Sequence, residues 1–159
     1  MLLQAVSPER RCTPAVTVPE FVSMAVTNAT PPVARTRNWL EVVEDEQLFF
    51  SVISLAEICK GIAKLPKSKK RTQLQDWLDS TLRPWFAGRV LPITEPIAEQ
   101  MGRWAGEWEV KGRTVKIADG LIAATALEHE LTVVTRNVKD FAGFGVEIFN
   151  PWEAGEVEE

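Results

Sequence analysis

The sequence predicts an α/β fold, in which one domain is built on a mostly parallel central β-sheet flanked by helices. Its 159 residues suit one domain, and the 45% of hydrophobic residues are enough for a sizeable core. Short β-branched runs alternate with longer segments of helical periodicity, as in a parallel sheet. We therefore predict one domain over residues 1–152, with an atypical segment 1–19, followed by a disordered acidic tail over 153–159.

The first regular elements are a strand and a helix. Residues 47–53 are short, aromatic and β-branched, which predicts a buried strand. Ser54 and Glu57 have the spacing of a capping box, which predicts that a helix begins there. Pro66 would end that helix, whose apolar face is formed by Leu55, Ile58, Ile62 and Leu65.

Two more amphipathic helices are predicted, separated by a short strand over residues 89–93. The first spans 71–85, and its apolar stripe is Leu74, Trp77, Leu78, Leu82 and Trp85. The second is capped by Thr94 and buries Ile97, Met101, Trp104 and Trp108. Helical spacing of the last two tryptophans favours core packing over base stacking.

The carboxyl-terminal part predicts an alanine-rich helix over 119–129, a strand over 131–135, a loop over 136–145 and a last strand over 146–149. The amino-terminal part is less regular, because five prolines interrupt it: Pro8, Pro14, Pro19, Pro31 and Pro32. Only residues 15–18 could form a strand there, and a helix is predicted over 33–43.

The scarcity of histidine and cysteine excludes several kinds of catalytic and metal site. The chain has one histidine, His129, and two cysteines, Cys12 and Cys59, too far apart for a metal-type spacing. His129 follows a predicted helix and is expected at a surface turn. There is no glycine-rich nucleotide motif, no apolar run of about 18 residues and no signal-peptide core. We expect a cytoplasmic, non-membrane protein whose chemistry depends on carboxylates.

Three acids, Glu57, Asp119 and Asp140, are predicted near the carboxyl ends of the strands, where ligands of open α/β sheets gather. Clustered carboxylates repel one another unless a cation neutralises them, which favours Mg²⁺ or Mn²⁺. Each acid also has a structural interpretation: Glu57 as the partner of Ser54, Asp119 as a helix N-terminal acid, and Asp140 as a loop residue. Position alone leaves these alternatives open.

A basic run lies within residues 60–71 of a chain whose net charge is −4. It contains no acid and six bases: Lys60, Lys64, Lys67, Lys69, Lys70 and Arg71. Taken alone, such a run is more often a solvated helix end than a binding site. The alternative is a contact to a nucleic-acid backbone that does not distinguish sequence.

Three segments resemble, in order, the second, third and fourth acidic motifs of PIN-domain ribonucleases. They are residues 50–57 (FSVISLAE), 117–126 (IADGLIAATA) and 131–141 (LTVVTRNVKDF). Residues 146–152 are also typical of the VapC-like, plasmid-stability branch, so the resemblance covers about 35–152.

The resemblance implies a PIN-like fold and a toxin of a type II toxin–antitoxin pair, an Mg²⁺-dependent RNA endonuclease that is usually dimeric and is occluded by an antitoxin. Glu57, Asp119 and Asp140 would be the catalytic, metal-binding acids, with Asn137 and Ser51 as supporting polar groups. The basic run over residues 60–71 would then be a plausible RNA contact.

The amino end departs from the family pattern, in which the first strand ends in a metal-binding aspartate. No aspartate precedes Asp45; Gln4 stands where the acid belongs, and Glu20 is the acid that could substitute for it. Either a ligand has been lost or a disturbed reading frame precedes about Val18, and the abrupt end of the match favours the second. Three functions remain: a ribonuclease, an impaired PIN-like module that still binds an antitoxin or RNA, and an unrelated α/β domain.

Overall fold

The structure, a computed structural model, describes residues 2–5, by their backbone alone, and residues 45–150. Four predictions fall outside these residues: the strand over 15–18, the helix over 33–43, the role of Glu20 and the acidic tail over 153–159.

Five strands of the described residues form one sheet in the order β3-β2-β1-β4-β5. The pairs β2·β3 and β4·β5 are parallel, whereas the central β1 is antiparallel to both of its neighbours. Four strands therefore share one direction, and the mostly parallel sheet is confirmed. The strands are β1 (Leu2–Ala5), β2 (Leu48–Ser51), β3 (Val90–Leu91), β4 (Leu131–Val134) and β5 (Ile148–Phe149).

The direction of β1 decides where Gln4 lies. Gln4 pairs with Leu48 of β2 and Thr132 of β4, near the points where those strands begin. The carboxyl ends of β2 and β4 lie at the opposite edge, beside Leu2. Residues 2–5 therefore occupy the centre of the sheet, but Gln4 lies away from the edge where the acids were predicted. The prediction that only residues 15–18 could form a strand in the amino-terminal part is wrong, because the pairing of β1 with two distant strands is not visible in its local sequence.

Helices connect the strands close to the predicted positions. The alanine-rich helix begins two residues earlier than predicted, the cap of the helix after β2 lies three residues earlier, and the predicted loop over 136–145 contains a short helix. The helix predicted over 71–85 begins at Lys69 and is interrupted by a π-helical segment, Leu78–Leu82. The helices are α1 (Val52–Lys64), α2 (Lys69–Trp77), α3 (Arg83–Trp85), α4 (Glu95–Val110), α5 (Ile117–Glu128) and α6 (Val138–Phe141).

The predicted capping box at Ser54 is wrong. Helix α1 begins at Val52, and the N-cap is Ser51, whose hydroxyl oxygen accepts a hydrogen bond from the Ile53 backbone N–H at 3.2 Å. The pairing of β2 with β3 ends at Ser51, so the chain turns there instead of continuing to Ile53. Ser54 is buried inside the helix. This change frees Glu57 from the capping role that was its structural alternative.

The core consists of two clusters separated by the sheet, because neighbouring strand residues contribute to different clusters. Phe50 and Val134 pack with α1 and α2, whereas Val133 packs with α4 and α5. The predicted core role of the tryptophans is confirmed: the rings of Trp104 and Trp108 lie 4.8 and 4.9 Å from the Phe144 ring. Among the helices described, none combines the length and the hydropathy needed to cross a membrane.

Candidate metal centre

The three predicted acids lie at one edge of the sheet. Helix α1, which follows β2 directly, carries Glu57 in its second turn. Helix α6, which follows β4 after a short connection, carries Asp140 in its first turn. Helix α5 precedes β4 and runs back along it, so that Asp119 in its first turn lies at the carboxyl end of β4. Three separate helices thus bring the acids to the edge that the sequence predicted.

A lysine that the sequence prediction missed lies between two of these acids. The Nζ atom of Lys116 is 3.0 Å from Oδ2 of Asp140, to which it donates a hydrogen bond, and 3.9 Å from Oδ2 of Asp119. The ammonium group therefore neutralises part of the negative charge. Its position three residues before Asp119 was a signal available in the sequence, but its contact with Asp140 spans 24 residues.

Asp119 is the least exposed of the three acids, with 22% of its side chain accessible. Burial raises the pKa of Asp119 above its ordinary value of 3.8, and the carboxylates of Asp140 and Glu57 raise it further, against the opposing effect of Lys116. The hydrogen bond to Asp140 in turn raises the pKa of Lys116. Asp119 is therefore close enough to both other acids to be affected by their charges.

Glu57 lies at the margin of this group. Its side chain is 42% exposed, and its Oε1 atom is 3.4 Å from Nζ of Lys60. Within residues 2–5 and 45–150, no three His, Cys, Asp or Glu side chains are close enough together to hold a metal ion. The pair Asp119 and Asp140 nevertheless fits a cation, because both already contact the Lys116 ammonium. Carboxylate oxygens are the ligands that Mg²⁺ and Mn²⁺ prefer.

The two residues predicted as supporting polar groups, Ser51 and Asn137, make hydrogen bonds that hold the backbone near the acids. Ser51 is buried and caps α1, which carries Glu57. The carbonyl of Asn137 accepts a hydrogen bond from the Asp140 backbone N–H at 3.1 Å. Its own N–H donates to Oγ1 of the buried Thr135 at 3.0 Å, a residue that the sequence prediction did not include. Thr135 and Asn137 together hold the start of α6 and so position Asp140.

The basic run divides into exposed and engaged side chains. Lys60 pairs with Glu57, and Arg71 donates to the carbonyl of Leu65 at 3.2 Å, which joins α2 to the end of α1. The remaining members differ in exposure: Lys70 is partly buried, whereas Lys64, Lys67 and Lys69 are exposed.

These elements define an α/β protein with a carboxylate site at the carboxyl edge of its sheet. The model of the PIN domain family matches residues 21–145, a range that includes all three acids. The chain belongs to the PIN domain family.

Named relatives support the same family. The chain is 39% identical to Toxin FitB of Neisseria gonorrhoeae over 76% of this chain and 87% of that protein. It is 36% identical to VapC ribonuclease Y4jK of Sinorhizobium fredii over 72% of this chain and 82% of that protein. The crystal structure of FitAcB from Neisseria gonorrhoeae matches with a TM-score of 0.73 and 36% identity, covering 84% of this chain and 96% of that one.

Replacing Asp119 with asparagine is expected to stabilise the metal-free protein at neutral pH. Because the folded state raises the pKa of Asp119, the stability linked to its proton is present below 3.8 and is lost as the pH rises through the raised value. In a chelating buffer, the Tm advantage of Asp119→Asn should grow between about pH 4 and about pH 7. Thermal unfolding followed by circular dichroism measures this difference in Tm between the variant and the parent. A difference that becomes smaller with rising pH would contradict the prediction.

Proposed function

We propose that this chain is a metal-dependent RNA endonuclease, the toxin of a type II toxin–antitoxin pair. The observation that carries the proposal is the pair of carboxylates, Asp119 and Asp140, that share one cationic group at the carboxyl edge of the sheet. The names of the relatives support it, since they include a toxin and a VapC ribonuclease. An Mg²⁺ or Mn²⁺ ion would take the place between these two carboxylates, with Glu57 as a third acid.

A bound divalent ion supplies an activated water and offsets the charge that develops on a phosphodiester during hydrolysis. The protein's part is to hold carboxylate oxygens in place. Asp119 is fixed at the start of α5 and is partly buried, so it is the central ligand in this proposal. Asp140 is held by the backbone bond to Asn137, and the more exposed Glu57 would add a third carboxylate from α1.

The partners in this proposal are an antitoxin, an RNA substrate and a second copy of the chain. One solved structure similar to this chain is FitAB bound to a DNA fragment, with 33% sequence identity and a TM-score of 0.74. Another is VapBC2 from Rickettsia felis bound to a DNA fragment from its promoter, with 28% sequence identity and a TM-score of 0.61. These support a protein that pairs with an antitoxin. We place it in the cytoplasm, with no membrane partner.

The direct test is cleavage of fluorescent single-stranded RNA by the purified chain. Cleavage that requires added Mg²⁺ or Mn²⁺, stops with a chelator and resumes when the ion is restored would support the proposal. A folded chain that binds the metal but cleaves none of a diverse RNA pool would instead support the second candidate, an impaired module that still binds an antitoxin or RNA. The observation favouring that candidate is that no aspartate precedes Asp45.

The exposed lysines of the basic run are expected to contact the RNA backbone. Replacing Lys64 and Lys67 with glutamine should weaken RNA binding and reduce its salt dependence, by about 0.7 in the slope of log K against log salt for each phosphate that the lysines no longer neutralise. Fluorescence anisotropy over a salt series measures this slope. In the matched control, two exposed bases elsewhere are replaced with glutamine: Arg103 in α4 and Lys111, the residue that caps the end of α4. Equal changes in both variants would mean that only net charge matters.

A further inference from the structure

We propose that Lys116 is a built-in counter-ion of the metal centre, which competes with the divalent cation for Asp119 and Asp140. This inference rests on the proposed function, because it assigns the same two carboxylates to the metal. It concerns a residue outside the three acidic motifs, and it predicts how tightly this chain holds its ion.

The geometry of the ammonium group carries the proposal. Nζ of Lys116 contacts Oδ2 of both aspartates, at 3.0 Å for Asp140 and 3.9 Å for Asp119. A metal ion bound by the Oδ2 atoms of both carboxylates would need the space that the ammonium group occupies, so the lysine side chain would have to move aside. Because 68% of this side chain is exposed, it can move into solvent without opening the core.

The side chain of Lys116 has no role in forming helix α5, which it precedes. It is the N-cap residue of α5, and its side chain makes no capping hydrogen bond. Helix N-termini carry a partial positive charge and favour Ser, Thr, Asp or Asn at this position. A lysine there is unfavourable for the helix by itself. Its charge is compensated by the two aspartates, which points to the acidic group as the reason for the contact.

The alternative is a purely structural bridge. The Lys116–Asp140 contact links the start of α5 to α6 across 24 residues, and such a link could fasten the loop after β4. The two roles predict different results. Loss of a competing cation strengthens metal binding, whereas loss of a structural bridge lowers the Tm and weakens or leaves unchanged the binding of metal.

The test is calorimetric titration of Mn²⁺ into the full chain and into Lys116→Met, which keeps most of the length of the side chain without its charge. We expect Mn²⁺ to bind roughly two- to fivefold more tightly to the variant, since an exposed ion pair contributes a factor of this order. Lys116→Arg keeps the charge and should bind Mn²⁺ like the parent. Circular dichroism confirms that each variant is folded.

Lys139→Met is the matched control, because it removes the same charge next to Asp140. Lys139 is exposed and makes no ion pair with any residue of the described ranges. An equal gain in Mn²⁺ affinity in Lys139→Met and Lys116→Met would mean that only the net charge matters, and it would overturn the proposal. Binding by Lys116→Met that equals or falls below that of a metal-binding parent would overturn this inference alone. Absence of Mn²⁺ binding in every folded variant would overturn it together with the metal site.

Discussion

Asp119→Asn is expected to reduce metal-dependent RNA cleavage by about a hundredfold or more, with a matching loss of Mn²⁺ binding. Asparagine keeps the size of the side chain but removes the charge that a hard cation requires. Asp119 is the least exposed of the three acids, and the charges of both other carboxylates raise its pKa, so its loss should be the most costly. Initial cleavage rates at saturating Mg²⁺, with calorimetry of the same samples, measure the two effects.

The control for this prediction is Asp76→Asn, on the exposed surface of α2. It makes the same chemical change away from the acidic group and should leave both rate and metal affinity within about twofold of the parent. Circular dichroism and the Tm of Asp119→Asn, which is expected to be at least that of the metal-free parent at neutral pH, test whether unfolding causes the lost activity. Retained cleavage by the folded variant would show that Asp140 and Glu57 suffice, and Asp119 would lose its central role.

The acidic residues could be found from the sequence because each lies inside a local motif. Glu57, Asp119 and Asp140 follow or precede predicted strands at short spacing, and the topology of the sheet then brings them to one edge. Lys116 lies just outside these motifs, and Thr135, although it lies inside the fourth, is not one of the acids that define it. The contact of Lys116 with Asp140 depends on how α5 and α6 pack, and the bond from Asn137 to Thr135 depends on where β4 ends.

The elements were predictable from periodicity, but their ends depended on tertiary pairing. Helix α1 begins after Ser51 because β3 offers no pairing partner beyond Leu91. The local sequence around Ser54 contains no information about this pairing. The direction of β1 is a similar case. No strand was predicted from the sequence over Leu2–Ala5, and the pairing of this segment with the distant strands β2 and β4 sets both its presence and its antiparallel direction.

The largest expected loss of stability follows from Phe50→Ala, about 3–5 kcal/mol in the free energy of unfolding. Phe50 is 1% exposed in β2, and its ring stacks on that of Phe86 with centroids 5.3 Å apart. The backbone N–H of Phe50 also donates to the carbonyl of Arg89 at 3.0 Å, so the surrounding sheet cannot easily collapse into the space. Denaturant unfolding measures the loss, which is a large part of the roughly 5–15 kcal/mol typical of a domain.

Two variants separate this cavity from other effects. Val110→Ala, at a position 90% exposed at the end of α4, should change the free energy of unfolding by no more than about 0.5 kcal/mol. Phe50→Leu fills part of the space and should lose less than Phe50→Ala. Phe50 directly precedes Ser51, the cap of the helix that carries Glu57, but it contributes no group to the acidic site itself. Metal binding by Phe50→Ala should therefore be retained well below its Tm and disappear with unfolding. Metal affinity lost while circular dichroism still shows a folded chain would mean that β2 shapes the site directly, and not only through the stability of the core.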